Sequence, residues 1–157
     1  MGENIEICRA EGPENIAIIR ALFEEYAAWL DIDLCFQGFT EEMAGLPGKY
    51  APPDGRLYLA KVDAQPAGCI ALRRFDVLSG EVKRLYVRPA YRRHGLGYEL
   101  AAGLIRDARA IGYRRILRDT LPRMASARKL YERLGFRIIP AYYGNPLEGV
   151  VYMELIL

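Results

Sequence analysis

The chain has one histidine, one tryptophan and three cysteines in 157 residues, and its net charge at neutral pH is only +2. Each scarcity excludes something. Cys8, Cys35 and Cys69 are far apart, odd in number and free of any CxxC pair, so neither a disulfide framework nor a zinc site is expected. They read as reduced, mostly buried thiols. A cysteine nucleophile needs a histidine partner, and the one histidine, His94, stands in a basic loop, which argues against Cys–His chemistry. So small a net charge argues against nucleic-acid or membrane binding by bulk electrostatics. No apolar run approaches transmembrane length, the start MGENIEICRA lacks the apolar stretch of an export signal, and Glu6 spoils a myristoylation pattern opened by Gly2. The expectation is a cytoplasmic protein with no membrane or nucleic-acid partner and no metal.

What is present is a balanced globular composition, 52% apolar and 27% charged. No repeat, low-complexity tract or linker divides it, so residues 1–157 are expected to form one domain. IEICRA (5–10) reads as a first strand. Pro13 suits the first turn of a helix, and Ile16, Ile19, Phe23, Tyr26 and Leu30 then repeat at helical spacing as one buried stripe. Glycine–proline clusters break up residues 31–55, leaving one short helix near Thr40–Ala44 with Thr40 as its cap. RLYLAKV (56–62) and GCIALRRF (68–75) flank a hairpin connection, and EVKRLYV (81–87) follows a Ser79-Gly80 turn. Leu96, Leu100, Leu104, Ala108 and Ile111 mark a second long helix ending near Gly112. RRILRDT (114–120) is a strand, and Met124, Ala127, Leu130, Tyr131 and Leu134 line one face of a last helix that ends at Gly135. FRII (136–139) and VVYMELIL (150–157) close the chain as strands. The sum is a mixed sheet with helices against its faces.

The densest chemistry lies in YVRPAYRRHGLGYELAAGL (86–104). A glycine turn between a strand and a helix presents unpaired N–H groups and the positive end of a helix dipole, which together suit an anion. Gly95 and Gly97 allow close backbone approach, and Arg92 and Arg93 could add charge-assisted bonds to phosphate oxygens. Leu100 stands where a dinucleotide fingerprint needs its third glycine, and no Gly-Lys-Ser/Thr follows, so neither that motif nor a Walker loop is present. A phosphate grip and a plain basic turn both remain open on these residues alone.

The run Arg92-Arg93-His94-Gly95-Leu96-Gly97 resembles the acetyl-CoA motif of the GNAT N-acetyltransferase superfamily, Arg/Gln-x-x-Gly-x-Gly/Ala. ASARKLYERLGF (125–136) is similar to the A-x-x-L-Y-x-x-L-G-F block of the same superfamily, and the order of elements agrees with it from end to end. The resemblance implies an α/β (α+β) fold with a mixed, mostly antiparallel sheet of about seven strands and helices on both faces. It also implies acetyl-CoA as co-substrate and a small-molecule amine acceptor. The pyrophosphate of coenzyme A would sit on the backbone from Arg92 through Arg93, His94, Gly95, Leu96 and Gly97 to Tyr98. The pantetheine arm would lie along Leu85, Tyr86 and Val87, close to Ser126 and Ala127. The alternation in EVKRLYV is clean on neither face, which a bulged strand would suit without being required. His94 is then a loop side chain rather than a base.

The same resemblance assigns Tyr131 as the acid that protonates the leaving thiolate, against a plain packing role in the helix stripe. It assigns Glu81 as the base, against a solvated charge at a strand start. A backbone N–H near Leu85 is the candidate oxyanion donor. Met124 stands where many relatives carry asparagine, so that contact to the coenzyme is missing. The acceptor side falls to residues around Tyr26 to Tyr50 and to PAYYGNPLEG (140–149). There Tyr26, Tyr142, Tyr143 and Asn145 either wall a substrate or only pack a turn. Lys83, Arg84, Arg73 and Arg74 either meet an acceptor carboxylate or face solvent or the nucleotide. Three functions stay in view: a small-amine or amino-acid N-acetyltransferase acting as monomer or homodimer, a protein N-acetyltransferase, and a non-catalytic acyl-CoA-binding module.

Overall fold

The computed structural model describes residues 3–30, 38–92, 94–121 and 124–157. Cys35 and Arg93 lie outside them. Seven strands form one sheet: β1 (Ile5–Arg9), β2 (Arg56–Val62), β3 (Gln65–Asp76), β4 (Ser79–Val87), β5 (Arg115–Thr120), β6 (Arg137–Ile139) and β7 (Val151–Ile156). Their order is β1-β2-β3-β4-β5-β7-β6, antiparallel throughout except where β4 runs parallel to β5. Four α-helices accompany them: α1 (Gly12–Leu30), α2 (Phe39–Gly45), α3 (Leu96–Ile111) and α4 (Ala125–Arg133).

Both sheet faces are covered, so the central strands are apolar on both sides rather than alternating with polar residues. On one face α3 packs Leu96, Leu100, Leu104 and Ala108 against Tyr58, Ile70, Leu72, Val82 and Ile116. On the other, Ile19, Leu22, Phe23, Tyr26 and Leu30 of α1 meet Leu57, Leu59, Cys69, Ala71 and Tyr86. Neighbouring residues of β2 and β3 therefore serve opposite cores, as the two-residue period of a strand requires. Cys69 is buried, whereas Cys8, on the edge strand, is exposed.

Three local expectations need correction. The first hairpin turns tightly at Asp63 and Ala64, both with positive φ, so β3 starts at Gln65 rather than 68. Ser79 and Gly80 are not a turn: they pair with Arg115 and Ile116 of β5 and begin β4, the turn being Val77-Leu78. Gly38, in the left-handed region, precedes α2, and no side chain caps that helix, so Thr40 does not cap it.

The pairing of β4 decides where a site can form. Its contact with β5 covers only Ser79, Gly80 and Glu81, after which the two strands part. Against β3, Cys69 pairs with Tyr86 and Ala71 with Lys83, so Arg84 and Leu85 together face Ile70 in a β-bulge. Arg84 takes φ of 60°, and its carbonyl accepts the Cys69 thiol at 3.4 Å. The extra residue shifts the alternation by one. Val82 faces the α3 core before the bulge, Leu85 and Val87 face it afterwards, and Tyr86 turns to α1. The uneven pattern in EVKRLYV has this cause.

Candidate active site

Where β4 leaves β5, a groove of about 390 Å³ opens, walled by Leu85, Tyr86 and Val87, by the turn at Gly95 and Gly97, and by Met124, Ser126, Ala127 and Leu130 of the α4 side. That duty explains why Ala127 and Leu130 sit on the apolar stripe of α4 yet are only half-buried. Gly95, with φ of 71°, precedes α3, and no side chain caps the helix, so its first N–H groups have no side-chain partner. A Cβ on Gly97 would meet only Leu130 Cδ1, at 3.4 Å, across the space between α3 and α4. Arg92 bonds the Val87 carbonyl at 2.9 Å and lies over the Trp29 ring at 5.1 Å.

The groove thus collects Leu85, Tyr86, Val87, Arg92, Gly95, Gly97, Tyr98, Ser126 and Ala127 of the residues expected from the sequence. It does not collect all of them. His94 lies outside the lining, its Nδ1 2.6 Å from Glu3. The Leu96 side chain is in the α3 core, leaving only its backbone for a ligand. Trp29, Leu130 and Arg133 line the groove without having been expected there, Leu130 having read only as part of the apolar stripe of α4. Trp29 was open to notice as the chain's one tryptophan, in the last turn of α1 beside the buried stripe.

A second space begins at Met124, which lines both. This crevice, about 20 Å³, lies between the parted strands and is lined by Tyr26, Val82, Lys83, Arg84, Arg118, Asp119 and Leu147 among others. The Tyr26 hydroxyl donates to Met124 Sδ at 3.9 Å, and burial pushes its pKa up to about 12. Around the crevice most of the charges are paired. Arg84 forks onto both Glu42 oxygens at 3.0 and 3.1 Å. Arg73 donates to Glu81 Oε1 at 2.9 Å, and the Tyr142 hydroxyl donates to Glu81 Oε2 at 2.6 Å. Lys83 Nζ stands 3.7 Å from Glu81 and 3.6 Å from Asp119. The Tyr143 hydroxyl bonds Asp119, and Asn145 donates to Tyr143 at 2.8 Å. Arg74, by contrast, pairs with Asp54 at the exposed end of the hairpin.

Glu81 is therefore no solvated charge; it is 1% exposed. Tyr142, Tyr143 and Asn145 do more than shape a turn, since they carry hydroxyls and an amide to the two carboxylates. Burial lowers the pKa of Lys83, with Asp119 and Glu81 opposing the shift. Burial alone would raise that of Asp119, but Lys83, the Tyr143 hydroxyl and Arg118 outweigh it and hold the carboxyl below its usual range.

Tyr131 is fully buried, with the Arg118 guanidinium 4.3 Å above its ring. Stacking leaves the Tyr131 hydroxyl and Arg118 Nη1 without a well-formed hydrogen bond. Burial raises the pKa of the hydroxyl, and the Arg118 cation opposes that. Arg118 was not singled out from the sequence, where it reads as one more basic residue in RRILRDT.

The Acetyltransferase (GNAT) family profile matches residues 19–136, which hold the groove, the glycine turn and the helix with Tyr131. The chain belongs to the GNAT acetyltransferase family. This acetyltransferase is 36% identical, over 97% of its own length and 94% of the relative's, to an uncharacterised N-acetyltransferase of Schizosaccharomyces pombe. Its fold is that of an acetyltransferase from Streptococcus agalactiae, with TM-score 0.79, 25% identity and 98% of each chain covered. The PaiA N-acetyltransferase of Thermoplasma acidophilum, solved in complex with coenzyme A, shares the fold at TM-score 0.76 and 17% identity, over 98% of this chain and 99% of that one. Among the described residues no helix is long and apolar enough to cross a membrane.

Proposed function

We propose that this acetyltransferase takes acetyl-CoA in the groove beside β4 and transfers the acetyl group to the amine of a small acceptor held at the crevice between β4 and β5. The meeting of the two spaces at Met124 carries the reading: an uncapped helix terminus and a strand edge on one side, a buried charged crevice on the other. The residues fit coenzyme A. Leu85, Tyr86 and Val87, on the edge that β5 leaves unpaired, would hold the pantetheine arm. The turn from Gly95 to Tyr98, with Arg92 beside it, would hold the pyrophosphate. Ser126 and Ala127 would flank both. That PaiA is seen with coenzyme A on the same fold supports the assignment.

Bound acetyl-CoA supplies a thioester carbon open to attack and a thiolate leaving group. The chain supplies the proton handling. An amine of ordinary pKa, about 10.4 for a lysine-like group, must lose a proton to attack near neutrality. Glu81 takes that proton, its carboxylate held in place by Arg73 and Tyr142. The Leu85 N–H, just past the bulge, donates to the acyl oxygen as negative charge builds there. As the new C–N bond forms and the C–S bond breaks, the nitrogen releases its second proton to water, Tyr131 gives its proton to the sulfur, and Arg118 on its ring face steadies the tyrosinate left behind.

Tyr131→Phe tests this directly. It removes a hydroxyl that has no well-formed bond in the fold, so stability and acetyl-CoA affinity should hold. Acceptor-dependent thiol release should slow by roughly tenfold or more. Unchanged turnover would remove the acid role. Tight acetyl-CoA binding with no thiol release for any small amine would overturn the small-acceptor reading.

A further inference from the structure

Among the described residues four cations lie on or beside the crevice: Lys83, Arg84 and Arg118 line it, and Arg73 shares Glu81 with Lys83. Three of them have carboxylates within ion-pair distance, Arg73 with Glu81, Arg84 with Glu42, and Lys83 with both Glu81 and Asp119. Arg118 has none. Its Nε and Nη2 reach only the Asp119 backbone carbonyl, at 3.0 and 2.8 Å, and its Nη1 is buried without a well-formed hydrogen bond. The residue is 3% exposed. A buried guanidinium with no carboxylate in direct contact and one hydrogen bond poorly made costs the fold free energy. Asp119, its neighbour in the chain, has its carboxylate already engaged by Lys83, Tyr143 and Asn145. Among the described residues the site is thus one negative charge short, and the deficit lies on the crevice wall against Tyr131.

We infer that Arg118 binds the carboxylate of the acceptor, and that the acceptor is a short amino acid whose amine lies one or two carbons from that carboxylate. The inference rests on the proposed reaction at this site and narrows its substrate. Arg118 offers the planar fork that matches a carboxylate, and its stacking on Tyr131 fixes the orientation of that fork. The crevice, at about 20 Å³, has room for a group near the size of one water. Only the tip of a carboxylate reaches into it, and the rest of the acceptor stays at its mouth. With the head on Arg118, an α-amine is carried next to Tyr131, the proposed acid. A long lysine-type side chain would place its amine well beyond. The paired Lys83, Arg84 and Arg73 hold the walls and set the charge balance, so a neutral amide gains nothing by replacing the carboxylate.

Two measurements test the inference without relying on each other. The first follows thiol release from acetyl-CoA with free amino acids, their carboxamides and the matching decarboxylated amines. At least one free amino acid should be used tenfold or more better, in kcat/KM, than its amide and amine. The second titrates the coenzyme A complex with N-acetyl amino acids and their amides, which reads the carboxylate site without turnover. The acids should bind tenfold or more tighter, and Arg118→Met should abolish the difference while Arg118→Lys restores part of it; melting and coenzyme A binding confirm that each variant is folded. Acids bound in preference to amides, with no turnover of any acceptor, would leave the carboxylate site standing and remove the proposed reaction. Amides used or bound as well as acids would overturn the inference, whether or not Arg118→Met folds, because that comparison needs only the unmodified protein.

Discussion

Asp119 collects the Lys83 cation at 3.6 Å, the Tyr143 hydroxyl and the Asn145 amide on one carboxylate inside the sheet. Its folded pKa is held below the usual value of about 3.9. A depressed carboxylate adds stability that is complete above its unfolded pKa and is lost as the pH falls through the folded one. Asp119→Asn should therefore cost roughly 1–3 kcal/mol at pH 7. The gap from wild type should narrow as the pH drops below about 4, where the wild-type carboxyl takes up its proton. Urea unfolding at a series of pH values measures it, and a gap that stays constant would mean that the charge contributes nothing. Tyr142, Tyr143 and Asn145 were legible as site candidates because two aromatic hydroxyls and an amide in a turn invite a polar partner. Arg118 and Asp119 were not. Charge in a strand of unknown neighbours reads as a solvent face, and only the pairing of β5 with both β4 and β7 shows that it is central.

Among the elements, β4 makes the groove, and it does so through its bulge. Gly68 on β3 shows how closely the two strands run beyond it. A Cβ there would stand 2.8 Å from the Tyr86 carbonyl oxygen and 3.3 Å from Val87 Cα, both backbone atoms. Gly68→Ala must push β4 away from β3 at the edge that walls the groove. The expected cost is about 1–3 kcal/mol, with acetyl-CoA affinity falling alongside. Gly45→Ala, at the end of α2 with nothing within 4 Å of the added carbon, should change neither. Denaturant unfolding and calorimetric titration of both variants check this, and equal behaviour would mean that the strand edge does not shape the groove. The sequence carried the symptom, a strand with no clean alternation, but not the reason. A bulge is a property of two strands in register, and Ile70 opposite Arg84 and Leu85 is invisible until β3 and β4 are paired.

At the scale of the whole molecule, element order was readable from periodicity and turns, whereas the strand order was not, since β7 inserts between β5 and β6 through long-range pairing alone. That arrangement brings three distant segments to one groove: β4 from the sheet centre, the start of α3 and the face of α4. The groove keeps their facing sides apart, so a ligand that bridges them should stabilise the fold as a whole. Binding to the native state alone adds about 2.7 kcal/mol at a hundredfold excess over Kd. In a chain of this size each kcal/mol raises Tm by about 2–4 °C, so acetyl-CoA should lift it by roughly 5–10 °C. Gly97→Glu should lose the shift. Its new side chain starts in open space 3.4 Å from Leu130 and carries a negative charge toward the proposed pyrophosphate site. Thermal melts of the two proteins, with and without acetyl-CoA, separate the outcomes. A shift confined to wild type places the coenzyme between α3 and α4. An equal shift in both proteins would move the coenzyme elsewhere and leave the glycine turn as packing, because a glutamate in that groove and a bound pyrophosphate exclude each other by volume as well as by charge.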